Sequence, residues 1–220
     1  MTRVHVLVEG QTEETFIRNL LAPHLASRGV YLTPVLASTK RIKSGQKFKG
    51  GVIRYEPFRR DLLRLLGDTS AVAVTTMIDY YGLPEDFPGF SNLPAGSCYD
   101  RAAHLERALR DDLGHPRLLP YLSLHEFEAL LLTAPSEIGT ALPTGGQITR
   151  LAQDVSAFPS PEEINEGPDT HPAARLLQYL PGYRKALHGP LIAGRIGLSV
   201  FRQRCPHFAA WIDRLERLAS

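Results

Sequence analysis

Acidic residues stand at the ends of the two segments that most resemble buried β-strands. Residues 3–9 form a β-branched run that ends on Glu9, and the apolar run at 71–78 leads directly into Asp79. Such runs are typical of strands that are buried on both faces of a parallel sheet. In open parallel sheets, ligands bind at the carboxyl ends of the strands. Glu9 and Asp79 are therefore predicted to meet at one edge of a sheet and to form the centre of a functional site.

Three further acids are candidates for the same edge. Glu13 lies in the first turn of a predicted helix, where an acid also stabilises the helix N-terminus by about 0.3–1 kcal/mol without any other role. Glu126 and Glu128 follow a fourth predicted strand. On a helix these two side chains do not share a face, so only one would point into the site. In an extended segment both would point the same way.

Carboxylates that converge on one point repel each other, and a bound divalent cation is the usual reason that a fold tolerates them. A ligand set of oxygen atoms alone selects hard ions such as Mg²⁺ or Mn²⁺. Such an ion lowers the pKa of a bound water and neutralises charge on an in-line phosphoryl transition state. The acids therefore predict metal-dependent phosphodiester chemistry. A zinc-protease interpretation of His125-Glu126 fails, because that motif requires a second histidine where Ala129 stands.

Two groups of basic residues are candidates for contact with phosphate. Lys185 could stabilise charge that develops on a phosphate, although an ordinary surface lysine is the alternative interpretation. A glycine-bearing basic segment is either a nucleic-acid-binding arm, since lysine and arginine contacts dominate nucleic-acid affinity, or a solvated surface loop. The candidate nucleic-acid-binding residues of this segment are Lys40, Arg41, Lys43, Lys47 and Lys49.

The order of the predicted elements indicates a fold class. Four predicted strands alternate with four predicted helices up to about residue 134, which is typical of a parallel sheet covered by helices. Thr12 is the predicted N-cap of the first helix, and His125 is predicted to begin the fourth. Residues 1–134 are therefore predicted to form an α/β metal-binding domain. Residues 135–220, with short helical pieces broken by proline and glycine, are predicted to form a helical extension packed on it.

Composition restricts the location of the protein more than its function. The 220 residues carry a formal net charge of +2, so a nucleic-acid-binding face would have to come from local clustering. Cys98 and Cys205 are the two cysteines, which fits a reducing compartment better than a disulfide scaffold. No run approaches the roughly 20 apolar residues of a membrane-spanning helix, and no signal-peptide pattern is visible. A cytoplasmic protein without a membrane partner is expected.

Three short motifs in this order carry a resemblance to a known family. Val-Glu-Gly-Gln-Thr-Glu at 8–13 resembles the opening motif of toprim domains, and Met-Ile-Asp-Tyr-Tyr-Gly at 77–82 stands where toprim domains carry Asp-x-Asp. Toprim domains occur in topoisomerases, primases and the nuclease part of ATPase-linked overcoming-lysogenization-defect proteins. With His-Glu-Phe-Glu-Ala-Leu at 125–130, the pattern is most similar to an uncharacterised bacterial toprim-like family. The similarity extends through 182–185 and 205–208.

The resemblance implies a toprim-like, Rossmann-like sheet and a metal-dependent nuclease that acts on DNA. It implies Glu9 and Asp79 as ligands of one Mg²⁺ or Mn²⁺ ion, with Glu13 and Glu126 or Glu128 serving a second ion. Tyr81 departs from the pattern, because it stands in place of the second aspartate and leaves one ligand fewer. Members of the family are often encoded beside an ATPase of the ABC or AAA type. An ATPase partner and a role in phage defence or DNA processing are therefore expected.

Two other functions remain open from the sequence. Because Tyr81 replaces an acid, the chain could be a degenerate toprim-like partner that docks on an ATPase and cleaves nothing, with its C-terminal helix around Trp211 as the docking face. Nucleotidyl transfer of the primase kind is a third possibility. Incorporation of labelled nucleotides would identify it.

Overall fold

The structure, a computed structural model, describes residues 1–38, 54–142, 146–164, 167 and 169–219. The predicted basic segment, with its lysines between 40 and 49, lies outside these ranges. Within them, the centre of the molecule is a five-stranded sheet in which every recorded strand pairing is parallel. The strand order is β2-β1-β3-β4, and β5 also pairs with β3. The strands are β1 (Thr2–Val8), β2 (Val30–Leu36), β3 (Ala73–Asp79), β4 (Leu118–Leu119) and β5 (Leu122–Ser123).

Helices connect and follow these strands. Between β1 and β2 runs one continuous helical stretch in three parts: α1 (Gln11–Phe16), a π-helical segment (Ile17–Leu21) and α2 (Ala22–Ala26). The remaining α-helices are α3 (Tyr55–Leu66), α4 (Cys98–Leu113), α5 (Glu128–Leu131), α6 (Pro135–Ala141), α7 (Gln147–Val155), α8 (Pro172–Tyr179), α9 (Lys185–Ile196), α10 (Leu198–Arg204) and α11 (Pro206–Glu216). Short 3-10 segments lie at Phe90–Asn92, Pro161–Glu163 and Arg217–Ala219.

Both faces of the sheet are buried. Successive side chains of a strand point to opposite faces, so Val6 and Val8 of β1 join one hydrophobic core while Leu7 joins another. The first core contains residues of α1 and of the helices from α5 to α11, and the second contains residues of α3 and α4. The predicted α/β fold, a parallel sheet with helices on both faces, is confirmed. No helix among the described residues is both long and apolar enough to cross a membrane.

The helices after residue 134 pack directly on the sheet. Trp211 of α11 is fully buried, donates a hydrogen bond from Nε1 to Thr75 Oγ1 at 2.9 Å, and stacks on Tyr121 with ring centroids 4.2 Å apart. One hydrophobic core thus contains residues from both sides of the predicted boundary at 134. The division into two domains stays a prediction.

The predicted fourth strand at 118–124 is interrupted. Pro120 and Tyr121 separate β4 from β5, because proline has no N–H to donate to the ladder. Thr76 of β3 satisfies the backbone groups of Tyr121 at this interruption, since its hydroxyl donates to Tyr121 O at 2.7 Å and accepts from Tyr121 N at 2.8 Å. Pairing resumes with Leu122 opposite Ile78 and continues with Ser123 opposite Asp79. The chain after β5 therefore runs beside the end of β3.

Two predicted helix starts are wrong. The first helix begins at Gln11, with Gly10 rather than Thr12 as its N-cap, and Thr12 is buried inside it. The segment after β5 does not become helical at His125, which has a φ of 60° in the left-handed region. Helix α5 begins only at Glu128, after Phe127 N donates to Asp79 Oδ1 at 2.9 Å. Glu126 therefore lies in a turn before the helix.

Candidate metal centre

Glu9 and Asp79 lie side by side at the carboxyl edge of the sheet. Strands β1 and β3 pair in parallel with Val8 opposite Met77, so both end at the same level. The backbone N–H of Asp79 donates to Glu9 Oε2 at 3.3 Å. Asp79 itself is 6% exposed, and its two carboxylate oxygens accept from Phe127 N and from Lys185 Nζ, each at 2.9 Å. Two chain segments that are remote in sequence thus bring their acids to one point.

Lys185, the first residue of α9, lies among three buried carboxylates. Its Nζ atom is 2.9 Å from Asp79 Oδ2, 3.2 Å from Glu128 Oε2 and 3.4 Å from Glu13 Oε1. Glu13 is 2% exposed and Glu128 is fully buried, whereas the Lys185 side chain keeps 35% of its surface exposed. The single ammonium therefore faces the acids while its stem remains accessible from solvent.

Glu126 and Glu128 both approach Asp79. One carboxylate oxygen of each of the three residues lies within 4.8 Å of the other two. The alternative that only one of the two glutamates points into the site is wrong, because Glu126 sits in the turn before α5 instead of on its surface. Tyr183 donates its hydroxyl proton to Glu128 Oε1 at 3.2 Å, a contact that no local sequence pattern predicts.

Burial and mutual repulsion make these carboxylates hard to ionise without a cation. Burial, then the charge of Asp79, raises the pKa of Glu9 to about 8. Burial raises the pKa of Glu128 to about 7, and it raises the pKa of Glu13 as well. For Lys185, burial lowers the pKa, but the charges of Asp79, Glu128 and Glu13 outweigh it and hold the pKa well above the usual range. The lysine is a charged counter-ion.

The carboxylate oxygens of the cluster fit a divalent cation. Glu13 Oε1 and Glu128 Oε2 are buried, and neither accepts a hydrogen bond from any described residue; each has only the ionic contact with Lys185. Five carboxylates against one ammonium leave an excess of negative charge whenever all are ionised. Oxygen atoms of this kind are the ligands that Mg²⁺ and Mn²⁺ prefer. Asp79, Glu126 and Glu128 could hold such an ion, and Glu9 and Glu13 lie beside them.

Tyr81 and His125, which lie near Asp79 and Glu126 in the chain, pack against other aromatic rings. Tyr81, which stands where the resemblance expects an acid, stacks on His171 with ring centroids 4.5 Å apart and an interplanar angle of 19°. His125 is 1% exposed, and its ring lies edge-on to Tyr80 at 5.9 Å. Neither position brings a carboxylate into the cluster.

A close approach between α9 and α1 fixes Lys185 relative to the sheet. A Cβ atom on Gly189 would lie 3.1 Å from both Thr12 Cγ2 and Phe127 Cε1 and 3.3 Å from the Tyr183 hydroxyl. The usual cost of overpacking, about 1–3 kcal/mol, is offset by at most about 1 kcal/mol of helix propensity, so Gly189→Ala should lower the free energy of unfolding by up to about 2 kcal/mol. Urea denaturation would measure it. Gly194→Ala on the same helix is the control, since apart from its own helical turn no described residue has an atom within 4 Å of the added Cβ, and it should stabilise by up to about 1 kcal/mol. Equal effects of both substitutions would contradict the close packing.

The fold and the site together define a class: an α/β protein with a cluster of buried carboxylates and one lysine at the carboxyl edge of a parallel sheet. Residues 8–216 match the family described as domain of unknown function (DUF4276), and the chain belongs to this family. The predicted membership of an uncharacterised family is thus confirmed, whereas the toprim relationship and the ATPase neighbour stay predictions. No curated protein sequence matches the chain.

One solved structure is similar to the whole chain. It is the C-terminal region of the Burkholderia pseudomallei OLD protein, at 16% sequence identity, with a TM-score of 0.49 and full coverage of both chains.

Proposed function

We propose that the protein is a Mg²⁺- or Mn²⁺-dependent phosphodiesterase of toprim-like type, and that its substrate is DNA. The observation that carries the proposal is the convergence of buried carboxylates from three remote segments around one ammonium group. Asp79 ends β3, Glu13 lies in α1, and Glu128 begins α5. A purely structural role does not explain so many buried acids, because each costs desolvation energy that a single lysine only partly offsets.

The residues divide into two roles. The carboxylates of Glu9, Asp79, Glu126 and Glu128 would hold the ion, which would supply an activated water and neutralise charge on the phosphoryl group. Lys185 would leave the acids when the ion binds, because two cations repel each other, and its exposed flexible stem lets Nζ reach a phosphate oxygen instead. There it would stabilise the negative charge that develops as the phosphodiester bond breaks.

The number of ions and the macromolecular partners belong to the same proposal. Glu13, which shares Lys185 with Asp79 and Glu128, could serve a second ion together with Glu126 or Glu128. The basic residues between 40 and 49 would contact the DNA backbone. An ABC- or AAA-type ATPase would be the protein partner in phage defence or DNA processing, and the cytoplasm would be the location.

Plasmid cleavage tests the proposal. Purified protein is incubated with supercoiled plasmid and Mn²⁺ or Mg²⁺, and nicked and linear forms are quantified against an EDTA control. Glu9→Gln and Asp79→Asn should each slow cleavage at least about 100-fold, because each removes a charge that acts in the transition state. Glu14→Gln is the matched control, since Glu14 is partly exposed and pairs with Arg18 instead of Lys185, and this variant should cleave normally. Cleavage that is absent from the wild type, or that survives both site substitutions, contradicts the proposal.

One observation favours a second function, that of a non-catalytic binding partner. Lys185 forms ion pairs with three carboxylates, so the site neutralises part of its own charge without any ligand. A protein that cleaves no nucleic acid with either metal, alone or with a co-purifying ATPase, would support this function.

A further inference from the structure

The carboxylate of Glu126 is fixed by groups that the proposed function does not use. Its Oε2 atom accepts a hydrogen bond from Ala173 N at 2.9 Å and lies 2.7 Å from Nδ1 of His171. The Glu126 side chain is 12% exposed and the His171 side chain 15% exposed. Because Glu126 lies in a turn and not in regular structure, these two contacts decide where its carboxylate points.

The short contact defines the proton on His171. An ionised carboxylate has only acceptor sites, so the 2.7 Å contact is a hydrogen bond in the tautomer whose Nδ1 carries the hydrogen and donates it to Glu126. The alternative tautomer, in which Nδ1 accepts from Ala174 N at the start of α8, would satisfy only a contact of 3.4 Å and would leave the 2.7 Å contact with Glu126 without a hydrogen. His171 thus acts as a donor toward the acid cluster.

Tyr81 holds His171 in this orientation. The two rings stack at 4.5 Å with an interplanar angle of 19°, so the phenol covers one face of the imidazole. The backbone of Tyr81 is itself fixed, since its N–H donates to His125 O at 2.8 Å. Tyr81 stands two residues after Asp79. Position 81, where the resemblance expects a second acid, therefore holds a tyrosine that supports His171.

We propose that Tyr81 and His171 are positioning residues that fix Glu126 as the third carboxylate ligand beside Asp79 and Glu128. The inference rests on the proposed metal site and deepens it. Oε2 of Glu126 is engaged by His171 and Ala173, which leaves Oε1 for the cation. The acid that is absent at position 81 is thereby replaced from a different part of the chain, and Tyr81 is part of the replacement.

A pair of substitutions at His171 separates positioning from packing. In asparagine the side-chain N–H lies near the place of Nδ1, whereas in glutamine it lies near the place of Nε2. His171→Gln should weaken Mn²⁺ binding about 10- to 100-fold, the usual effect of losing the partner of a metal ligand, and His171→Asn should restore most of it. Mn²⁺ affinity is measured by isothermal titration calorimetry and by electron paramagnetic resonance of free Mn²⁺. Neither readout depends on cleavage.

A double-mutant cycle guards against a merely structural effect. In the Glu126→Gln background, His171→Gln should change the Mn²⁺ affinity less than twofold, because the group that it positions no longer binds the ion. Tyr81→Phe keeps the stacked ring and should bind as the wild type does, whereas Tyr81→Ala should weaken binding about tenfold. These Tyr81 variants also provide the test if His171→Gln fails to fold.

The outcomes distinguish this inference from the proposed function. Mn²⁺ binding by the wild type, with equal affinity in His171→Gln and Tyr81→Ala, overturns the positioning role alone. An effect of His171→Gln that persists undiminished in the Glu126→Gln background overturns it as well. A wild-type protein that binds no Mn²⁺ overturns the proposed metal site, and the positioning role with it.

Discussion

Lys185→Met is expected to tighten Mn²⁺ binding at least about tenfold while it slows plasmid cleavage at least about 100-fold. Nζ of Lys185 lies 2.9–3.4 Å from oxygen atoms of Asp79, Glu128 and Glu13, so a cation that binds these oxygens must displace it. Methionine keeps the apolar stem and removes the charge. The metal then meets no competitor, but the phosphate loses its ammonium partner. Few other substitutions would raise the affinity for Mn²⁺ and lower the rate of plasmid cleavage together.

The same substitution should destabilise the metal-free protein. Breaking a fully buried ion pair costs about 3–5 kcal/mol, and the 35% exposure of the Lys185 side chain reduces this to roughly 1–3 kcal/mol. Urea denaturation in EDTA measures the loss, and calorimetry and the plasmid assay measure the other two quantities. Arg184→Met is the matched control, because Arg184 is exposed and next to Lys185 in the chain. Weaker Mn²⁺ binding by Lys185→Met would show that the lysine does not compete with the ion.

The metal-free protein should become less stable as the pH rises from about 5 to about 8. The pKa values of Glu9 and Glu128 are raised to about 8 and about 7, above the ordinary 4.5 of a glutamate in the unfolded chain. Between these values the folded state binds more protons than the unfolded state, so the free energy of unfolding falls with pH. Each retained proton contributes a slope of about 1.4 kcal/mol per pH unit. Above about pH 8 the contribution of both groups levels off.

Saturating Mn²⁺ should reverse this slope, because ionised carboxylates bind the ion and protons compete with it. Urea denaturation at pH 5, 6, 7, 8 and 9, in EDTA and in Mn²⁺, gives both curves. Glu9→Gln and Glu128→Gln together remove these two groups, and the difference between wild type and double variant isolates their share from that of Glu13, whose pKa burial also raises. A wild-type slope in EDTA that equals the slope of the double variant would contradict the raised pKa values.

Local sequence patterns predicted the part of the site that depends on strand ends. Glu9 and Asp79 each end a buried apolar run, and parallel strands place their carboxyl ends at the same edge. The parallel sheet followed from the alternation of strands and helices. The sequence predicts helices at about 54–66 and 99–113, and α3 (Tyr55–Leu66) and α4 (Cys98–Leu113) match these boundaries to within one residue. These features depend on residues that are close together in the chain, so local sequence patterns predict them.

The remaining parts of the site depend on tertiary packing. Lys185 is separated from Asp79 by 106 positions, and the packing of α9 against α1, α5 and α6 brings them together. The left-handed backbone of His125 delays α5 until Glu128, so both glutamates of that segment reach the cluster. Helical spacing alone predicted that only one of these two glutamates would point into the site. His171 precedes a proline that begins α8, a pattern that predicts a helix start but not a contact with Glu126.

The most direct test of the carboxylate site is a crystal grown with Mn²⁺ and measured at a wavelength that gives manganese an anomalous signal. The expected result is an anomalous peak at the carboxyl edge of the sheet, within about 2.0–2.6 Å of oxygen atoms of Asp79 and at least one glutamate of the cluster, with Lys185 Nζ turned away. A crystal with no manganese at this edge, in which Lys185 keeps its contacts with all three acids, would contradict the account.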